Sequence, residues 1–352
     1  MNYLISSERY NPSIYIWLLF LTAMVLMIIV IGGLTRLTDS GLSMTDWKPI
    51  LGIIPPLSKE SWQKVYELYK LTPEFKIVNK NMTLDEFKYI FWWEWFHRIF
   101  ARLIGLVFLI PFIYFSLKKQ INLSLYKKLT LVFIFGLFQA LVGWWMVKSG
   151  LTENPYVSPY RLTFHLLNAL IIFSILLWIS MDYKYSINIS FFSKPLTSDF
   201  YILMSVLLIF ITIASGGFMA GTNSGQSFNT FPLMNGKIIP DDYIIQDLGI
   251  YNIFENTVAI NFNHRWISIF TFLYIIFVCV KYLKFNNKYL SKNLVFLIIF
   301  FLTAQVILGI ITLLSNVYLP LASLHQTNSI FLLSTLLISY HQFKYRKVKY
   351  EK

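Results

Sequence analysis

Cysteine is nearly absent from this chain, which contains only Cys279. A single thiol forms neither an internal disulfide nor a thiolate metal cluster, so both are excluded. Acidic residues are also scarce, with 17 Asp and Glu against 30 Lys and Arg, and charged residues make up only 13% of the 352 residues. The sequence has no GxGxxG segment after a strand and no P-loop, so neither a nicotinamide nor a nucleotide site is indicated.

Apolar side chains are in large excess. Hydrophobic residues account for 56% of the chain and aromatic residues for 18%, which is typical of an all-α polytopic membrane protein. Eight apolar runs are each long enough to cross a hydrocarbon core about 30 Å thick as a helix. The first run is too long, and lacks the cleavage site, for a removable signal peptide. The predicted membrane helices 1 to 8 lie at 14–33, 95–116, 129–147, 161–181, 200–219, 264–280, 294–314 and 319–340.

Basic residues are concentrated in the connections on one side of these helices. The connections after helices 2 and 6 contain lysine and no acid, and the C-terminal tail is basic, whereas the connection after helix 5 contains Asp241, Asp242, Asp247 and Glu255. By the positive-inside rule, both termini and the even-numbered connections face the cytoplasm. We interpret the net charge of +13 as a topology signal, and no nucleic-acid partner is expected.

Four of the five histidines occur at the outer ends of alternate predicted helices, while His341 lies in the basic tail and is predicted to be solvated. A single histidine at such a depth is often only an interfacial, hydrogen-bonded side chain. Four at matched depth favour ligation, since imidazole is the commonest protein ligand for metals and haem iron. The pattern predicts either two bis-imidazole haem sites or one haem site and one substrate site. The four residues are His97, His165, His264 and His325.

The two halves of the sequence repeat one another. HRIFARLIG at 97–105 aligns with HRWISIFTF at 264–272, FQALVG at 138–143 with AQVILG at 304–309, and FHLLNALIIFS at 164–174 with LHQTNSIFLLS at 324–334. A four-helix unit used twice in parallel orientation is therefore predicted, with lobes at 1–190 and 191–352.

The copies differ at two ionisable positions. Arg98 aligns with Arg265, but Glu94 aligns with Asn261 and Arg102 with an isoleucine. Glu94 precedes His97 by about one helical turn and is able to face the same way. The first lobe is therefore predicted to be the reactive one.

The segment 34–90 is long enough to form a lid over the outer side, although a solvated connector is the simpler alternative. Thr83 and Glu86 have the spacing of a capping box, which predicts that helix 2 begins near residue 84 and projects above the membrane. Residues 61–71 are predicted to form a short amphipathic helix on the outer surface. In the second half, Gly217 and Gly221 are spaced for close helix packing.

Several motifs together resemble the haem A synthase family, in its proteobacterial and mitochondrial branch. They are TRLTDSGLSMTDW, EWFHR, RLTFH, GTNSGQSFNTFPLMNGKIIP, FNHR and SLHQTN, and they extend over essentially the whole chain. The resemblance implies an eight-helix, two-lobed enzyme that oxidises the C8 methyl group of haem O to a formyl group, with water as the oxygen source. The product is haem A for cytochrome c oxidase. The cysteine pair that some bacterial members carry in the first outer loop is absent.

The resemblance also implies roles for the histidines. His264 and His325 are expected to be the axial ligands of a haem b cofactor in the C-terminal lobe. His97 and His165 flank the haem O iron in the N-terminal lobe and are expected to be catalytic together with Glu94. Glu94 is expected to act as a base or to stabilise a cationic intermediate, and an i,i+4 salt bridge to Arg98 is the alternative.

Propionate groups on the haems require cationic partners at the polar rim. Arginine offers charge-assisted and often bidentate contacts to carboxylates, although arginines at this depth also extend to lipid headgroups. The expected cofactor-binding arginines are Arg36, Arg98, Arg102 and Arg265.

The expected location is the inner membrane of a bacterium, and a mitochondrial inner membrane is the less favoured alternative. Haem O synthase, a farnesyltransferase, is the expected partner. The electron acceptor and the oligomeric state, a homo-oligomer included, stay open. Two rival functions are a di-haem electron carrier and a haem or small-molecule transporter. The carrier fits poorly because all four histidines lie at one depth, and the transporter because the helix centres are apolar.

Overall fold

The computed structural model describes residues 10–46, 51–152, 154–187, 197–284 and 290–350. Within these ranges the chain is helical, without a β-strand. Eight helices are long and apolar enough to cross a membrane, so the predicted class of all-α, multi-pass membrane protein is confirmed. These helices are α1 (Pro12–Leu37), α4 (Leu84–Leu117), α5 (Leu123–Gly150), α6 (Pro159–Lys184), α7 (Thr197–Gly221), α9 (Thr257–Lys284), α10 (Lys292–Leu314) and α11 (Leu319–Tyr350). Three short helices are α2 (Lys59–Lys70), α3 (Pro73–Ile77) and α8 (Asn252–Glu255).

The observed helices extend beyond the apolar runs because polar residues cap them outside the hydrocarbon region. Helix α4 begins at Leu84, as the capping box predicted: the Thr83 hydroxyl accepts a hydrogen bond from the Glu86 N–H, and Glu86 accepts one from the Thr83 N–H. Asn122 caps α5 in a similar way, by accepting from the Leu125 N–H. The predicted helix at 61–71 is also confirmed, as α2.

The segment 51–83 lies against the first turns of α4, on the side of the bundle that is called outer below after the orientation predicted above. Tyr69 of α2 and Phe87 and Phe91 of α4 are almost completely buried in one apolar cluster, and the Tyr69 and Phe87 ring centroids are 5.0 Å apart. Residues 51–83 are therefore a packed cover on this end of α4.

The centre of the bundle is formed by α1, α6 and α11, each of which is half buried over its apolar stretch. Helix α1 packs against α4, α6 and α11, and α6 packs against α5 and α7. One continuous core joins both halves of the chain and includes Leu18, Leu170, Leu176, Leu333 and Leu337. The predicted lobe boundary at 190/191 lies outside the described residues. Contact between the halves therefore runs through their most buried helices.

Close contacts join the halves near the outer side. The Gln326 side chain donates to the Ile29 carbonyl oxygen at 3.0 Å, and a Cβ added at Gly33 would lie only 1.9 Å from Gln326 Oε1. A Cβ at Gly217 would lie 2.8 Å from Thr163 Oγ1. A side chain at Gly33 would displace the Gln326 amide from this contact, and one at Gly217 would press on the short Thr163 side chain close to its backbone.

Near the other ends of the helices, the halves share an ionic cluster. Asp182 is 3% exposed, with Lys128 Nζ 2.6 Å from Oδ2 and His341 Nε2 3.1 Å from Oδ1. The prediction that His341 is solvated is wrong. Its imidazole is 1% exposed and packs edge-on against Trp178, because α11 continues past the apolar run and carries the residue into the interface.

Glu74 of α3 is an ionisable side chain buried in the outer cover, with 6% of its surface exposed. The Tyr69 hydroxyl donates to Glu74 Oε2 at 2.9 Å, and Asn79 Nδ2 donates to the Tyr69 oxygen at 2.8 Å. This short network joins α2, α3 and the turn that follows.

Burial raises the pKa of Glu74 from 4.5 to about 8, opposed by the hydrogen bond from Tyr69. The negative charges of Glu94 and Asp39 raise the pKa further, and Arg36 lowers it. Because the folded state then holds a proton more tightly than the unfolded state, the cover is stabilised at low pH. That stability decreases between about pH 4.5 and pH 8, by an amount on the order of a few kcal/mol.

We expect residues 59–83 to exchange amide hydrogens faster at pH 8.5 than at pH 6, after correction for intrinsic rates, because Glu74 ionises while buried. Hydrogen exchange with mass spectrometry on the purified protein measures this. In Glu74→Gln, which has the same shape and no charge to gain, the difference should disappear. Equal protection of the wild-type cover at both pH values would contradict the prediction.

Candidate functional site

Each of the four candidate histidines rests against a glycine of the preceding long helix. A Cβ at Gly32 of α1 would lie 3.3 Å from the His97 ring, and one at Gly216 of α7 would lie 3.3 Å from the His264 ring. The same contact occurs between α5 and α6, and between α10 and α11. There, a Cβ would lie 2.9 Å from the ring for Gly143 and His165, and 2.8 Å for Gly309 and His325.

These matched contacts place each imidazole between two helices at the outer side. All four side chains are partly exposed, so each retains surface for a ligand. His97 and His165 are close enough to interact electrostatically, as are His264 and His325. The arrangement therefore supports one histidine pair in each half. The internal repeat itself stays a prediction.

Hydrogen bonds orient the imidazoles of the C-terminal half. The Ser215 hydroxyl lies 2.7 Å from His264 Nδ1, which leaves Nε2 for another partner. Gln305 Nε2 lies 3.2 Å from His325 Nδ1 and 3.4 Å from Nε2, and the same glutamine accepts from Asn328. The Ser215 hydroxyl is able to accept from the His264 Nδ1–H, as the partner of a metal-ligating imidazole does, whereas the Gln305 amide nitrogen lies against the His325 ring within reach of both ring nitrogens.

The N-terminal half repeats part of this network. Gln139 Nε2 lies 3.3 Å from His165 Nε2, and Asn168 Nδ2 donates to Gln139 Oε1 at 2.6 Å. His165 Nδ1 is buried and has no hydrogen-bond partner among the residues that the structure describes. The sequence alignment paired Gln139 with Gln305 but assigned them no role, and the two asparagines were missed, although both follow their histidine by one helical turn.

Glu94 is 2% exposed and both of its carboxylate oxygens are occupied. Oε1 accepts from Arg98 Nη2 at 2.5 Å, and Oε2 accepts from the Ser43 hydroxyl at 2.7 Å and the Met44 N–H at 2.8 Å. The i,i+4 salt bridge that was the alternative role is therefore present. Glu94 also holds the outer connection after α1 against α4.

Arg98 completes this anchor, since Nη2 also donates to the Met44 carbonyl oxygen at 3.2 Å. Its counterpart Arg265 does the same in the other half, with Nε on Asn261 Oδ1 at 2.7 Å and its Nη atoms on the Thr230 and Phe228 carbonyl oxygens at 2.8 Å. The outer connection is thus fastened over each histidine pair by an arginine, with a carboxylate as its side-chain partner in one half and an amide in the other.

Two further predicted site residues lie at different places. Arg36 is at the end of α1, where it pairs with Asp39 at 2.5 Å and donates to the Ala220 carbonyl oxygen at 2.6 Å and to Asn223 Oδ1 at 2.7 Å. It therefore joins the two halves at the outer side. Arg102 lies on α4, one helical turn further into the membrane than Arg98.

The residues fit a haem group in two respects. Imidazoles held in pairs are ordinary axial ligands of haem iron, and the glycine beside each ring lets the imidazole lie against the helix backbone where a Cβ would crowd it. Arg98 and Arg265 directly follow His97 and His264 on their helices, and arginine is suited to the anionic edge groups of a haem.

Comparison with known proteins agrees with this geometry. The sequence model of the COX15-CtaA family, described as cytochrome oxidase assembly protein, matches residues 15–337. A protein of Nitrosomonas eutropha named Heme A synthase is 42% identical over 340 residues, covering 94% of each chain.

Two other relatives carry the same name. One from Nitrosospira multiformis is 41% identical over 94% of this chain and 93% of its own, and one from Wolbachia pipientis subsp. Culex pipiens is 42% identical over 90% and 93%. Since the family match and these relatives extend over nearly the whole chain, the protein belongs to the COX15-CtaA family of cytochrome oxidase assembly proteins.

Proposed function

We propose that this protein is a haem A synthase, which oxidises the C8 methyl group of haem O to a formyl group. The observation that carries the proposal is the pair of imidazoles seated on glycines at the outer side of each half. The relatives named Heme A synthase, at about 40% identity over nearly the full length, support it. The protein is accordingly an enzyme of haem A biosynthesis in the membrane.

The reaction defines what the site must do. Converting a methyl to a formyl group with water, R–CH3 + H2O → R–CHO + 4H⁺ + 4e⁻, removes four electrons and four protons from the substrate. Two successive oxidations of the same carbon, through the alcohol and the hydrated aldehyde, give that balance. The site therefore needs an electron acceptor, a route for protons, and a negative charge near the carbon that becomes electron-poor.

The N-terminal half is the proposed substrate lobe, and one difference between the halves supports this. Gly105 on α4 and Gly136 on α5 have nothing within 4 Å of where a Cβ would be. The aligned positions in the other half are Phe272 and Leu302, and Leu302 is 2% exposed while Phe272 packs against the same core. Gly105 and Gly136 are both exposed, so the side chains that pack in the second half have no counterpart on these helix surfaces of the first.

An aromatic pair lies next to the two glycines, on the side away from the histidines. Phe108 of α4 stacks on Phe133 of α5, with ring centroids 5.9 Å apart and an interplanar angle of 13°. Gly105 and Gly136 each lie three residues to the outer side of these rings, so they share the same helix faces. We propose that the surface between α4 and α5 above this aromatic pair forms the wall of a cleft through which an apolar substrate passes from the lipid towards His97 and His165.

Glu94 is the proposed catalytic carboxylate of this lobe, together with His97 and His165, the proposed pair at the haem O iron. Three hydrogen bonds hold the Glu94 carboxylate in place, so stabilising a developing positive charge requires no rearrangement. We therefore assign Glu94 to charge stabilisation first. Asn261, in the same position of the other half, carries no charge for this role.

The C-terminal half is the proposed site of a resident haem b, which His264 and His325 would hold through its iron. When bound, haem b supplies one-electron redox chemistry. Ser215 orients the His264 ring, and Arg265 keeps the connection after α7 in place over the pair. Nη1 and Nη2 of Arg265 each carry a second N–H, and these are the proposed donors to a propionate.

Arg36, Arg98 and Arg102 are the proposed propionate partners of the first half. Arg98 donates to Glu94 and to the Met44 carbonyl oxygen. It would therefore bind a propionate while it continues to hold the connection after α1. Arg36 already links the two halves through α7, and this position at the boundary between the lobes suits a propionate partner.

The proposed location is a bacterial inner membrane, with both termini in the cytoplasm and the histidine pairs at the opposite side. The excess of lysine in the connections between α4 and α5 and between α9 and α10 supports this orientation. The proposed partner is haem O synthase, whose product is the substrate.

The function is tested by a mass-resolved haem extract from a host that makes no haem A and co-expresses haem O synthase. We expect a new species with a formyl group, or its hydroxymethyl precursor, only when this protein is present. Bound haem b with available haem O and no oxidised product would instead favour an electron carrier.

The lobe assignment predicts opposite losses from two substitutions. Glu94→Ala should retain haem b and lose product by about 10²-fold or more, because charge stabilisation at the reacting carbon is removed. His264→Ala should lose the haem b spectrum. Ser43→Ala is the matched control for Glu94, since it weakens the outer connection and leaves the carboxylate. If Ser43→Ala loses as much product as Glu94→Ala, the role of Glu94 is structural, and loss of haem b from Glu94→Ala with continued turnover would reverse the lobes.

The cleft predicts a third substitution effect. Gly136→Leu introduces the residue found at the aligned position 302 and should fill the space above Phe133. We expect unchanged haem b content and at least a tenfold lower rate of product formation at limiting haem O, measured in the same extracts. Leu137→Ala is the control, because Leu137 is the exposed neighbour of Gly136 on the same helix. This variant should leave the rate within about twofold of wild type. An undiminished rate in Gly136→Leu would exclude the cleft as the substrate path.

A further inference from the structure

Helix α10 offers the His325 imidazole two supports one helical turn apart. Gly309 provides a flat surface, and a Cβ there would lie 2.8 Å from His325 Cε1. Gln305, four residues earlier and therefore on the same face of the helix, directs its amide nitrogen to the ring at 3.2 Å from Nδ1. The same amide nitrogen lies 3.4 Å from Nε2, so the ring is held between the glycine backbone and an amide group that contacts it near both nitrogens.

The direction of the Gln305 amide is determined by its neighbours. Asn328 is 9% exposed, and its Nδ2 donates both to the Phe301 carbonyl oxygen at 2.9 Å and to Gln305 Oε1 at 2.7 Å. A backbone carbonyl only accepts hydrogen bonds, so it orients the asparagine, and the asparagine orients the glutamine. The Gln305 NH2 group must then face the imidazole.

Part of this chain of bonds occurs in the N-terminal half, where a backbone carbonyl orients the glutamine directly. Asn168, 4% exposed, donates to Gln139 Oε1 at 2.6 Å, and Gln139 Nε2 donates to the His165 carbonyl oxygen at 3.1 Å and faces the His165 ring at 3.3 Å. Gln139 precedes Gly143 by four residues, as Gln305 precedes Gly309. His264 is oriented differently, by the Ser215 hydroxyl at 2.7 Å. The glutamine and asparagine pair therefore belongs to one histidine of each lobe.

We propose that Gln305 with Asn328, and Gln139 with Asn168, are positioning residues that set the rotation of the His325 and His165 imidazole planes. Rotation about the Cβ–Cγ bond of histidine is soft, with a broad two-fold minimum, so the glycine surface limits the ring and the amide selects its angle. Asn328 and Asn168 act on the ring only through their glutamine. For His325 the consequence for a bound cofactor rests on the proposed haem b site.

The angle of an axial imidazole plane is visible in the electron paramagnetic resonance of low-spin ferric haem, and partners of a ligand tune its midpoint potential. The experiment compares wild type, Gln305→Met, Asn328→Leu and the double variant in detergent. Haem content is measured first, followed by the low-temperature spectrum and a redox titration. Gln139→Met is the matched control, because it makes the same change in the other lobe.

We expect Gln305→Met to retain haem b within about twofold and to shift the g-values and the midpoint potential. Asn328→Leu should give the same shifted spectrum, and the double variant should shift it no further, because the two residues act in series. Gln139→Met should leave the haem b spectrum unchanged. A wild-type spectrum and potential in Gln305→Met overturns the proposal, as does an Asn328→Leu spectrum that differs from that of Gln305→Met. If Asn328→Leu does not fold, Gln305→Met alone decides.

A second measurement separates this proposal from the cofactor assignment. If wild type binds no haem b, the proposed cofactor is wrong, and the imidazole orientation is then read by ¹⁵N magnetic resonance of histidine-labelled protein, with His325 assigned by substitution. Gln305→Met should move the His325 ring nitrogen resonances and leave those of His264 in place. Unmoved resonances overturn the positioning role whether or not haem is bound.

Discussion

Close approach of helices at glycine is the constraint on which this structure depends. Each of the four imidazoles occupies a position where a Cβ on the adjacent helix would come within 3.3 Å of the ring or closer. In a bilayer, helices associate through packing and polar contacts rather than through the hydrophobic effect, and small residues permit the shortest approach. The same device joins the halves, where Gly33 faces Gln326 and Gly217 faces Thr163. The position of the histidines is thus a consequence of which helix surfaces lack side chains.

The two halves place their histidines against glycines in the same way but differ in the chemistry around them. Both fasten an outer connection with an arginine, yet the arginine pairs with a carboxylate at Glu94 and with a neutral amide at Asn261. A buried carboxylate is costly without partners, and Glu94 has three. The halves also differ in packing, since Gly136 is exposed where the aligned Leu302 is buried. A buried carboxylate in one half and a neutral amide at the aligned position of the other is the difference that the proposed substrate site and resident cofactor would require.

The outer cover adds a link between the site and its surroundings. Glu74 lies in the cover on α4, and its ionisation responds to the charge of Glu94. The carboxylate of the site and the packing of the cover are therefore electrostatically coupled. The coupling has a sign: a proton on Glu74 favours the closed packing, and its loss places a second negative charge near Glu94.

By itself the sequence determined the eight helices, the capped start of α4 at Leu84, the four histidines and the singular position of Glu94. These follow from hydropathy, spacing and local capping, which depend on near neighbours in the chain. Only the tertiary structure decided that Arg36 joins the halves, that Asn328 orients Gln305, and that His341 is buried against Asp182. Such contacts depend on the rotation of each helix about its axis and on which helices adjoin. Hydropathy of nearly uniform apolar helices carries little information about either, because lipid and protein neighbours are equally apolar.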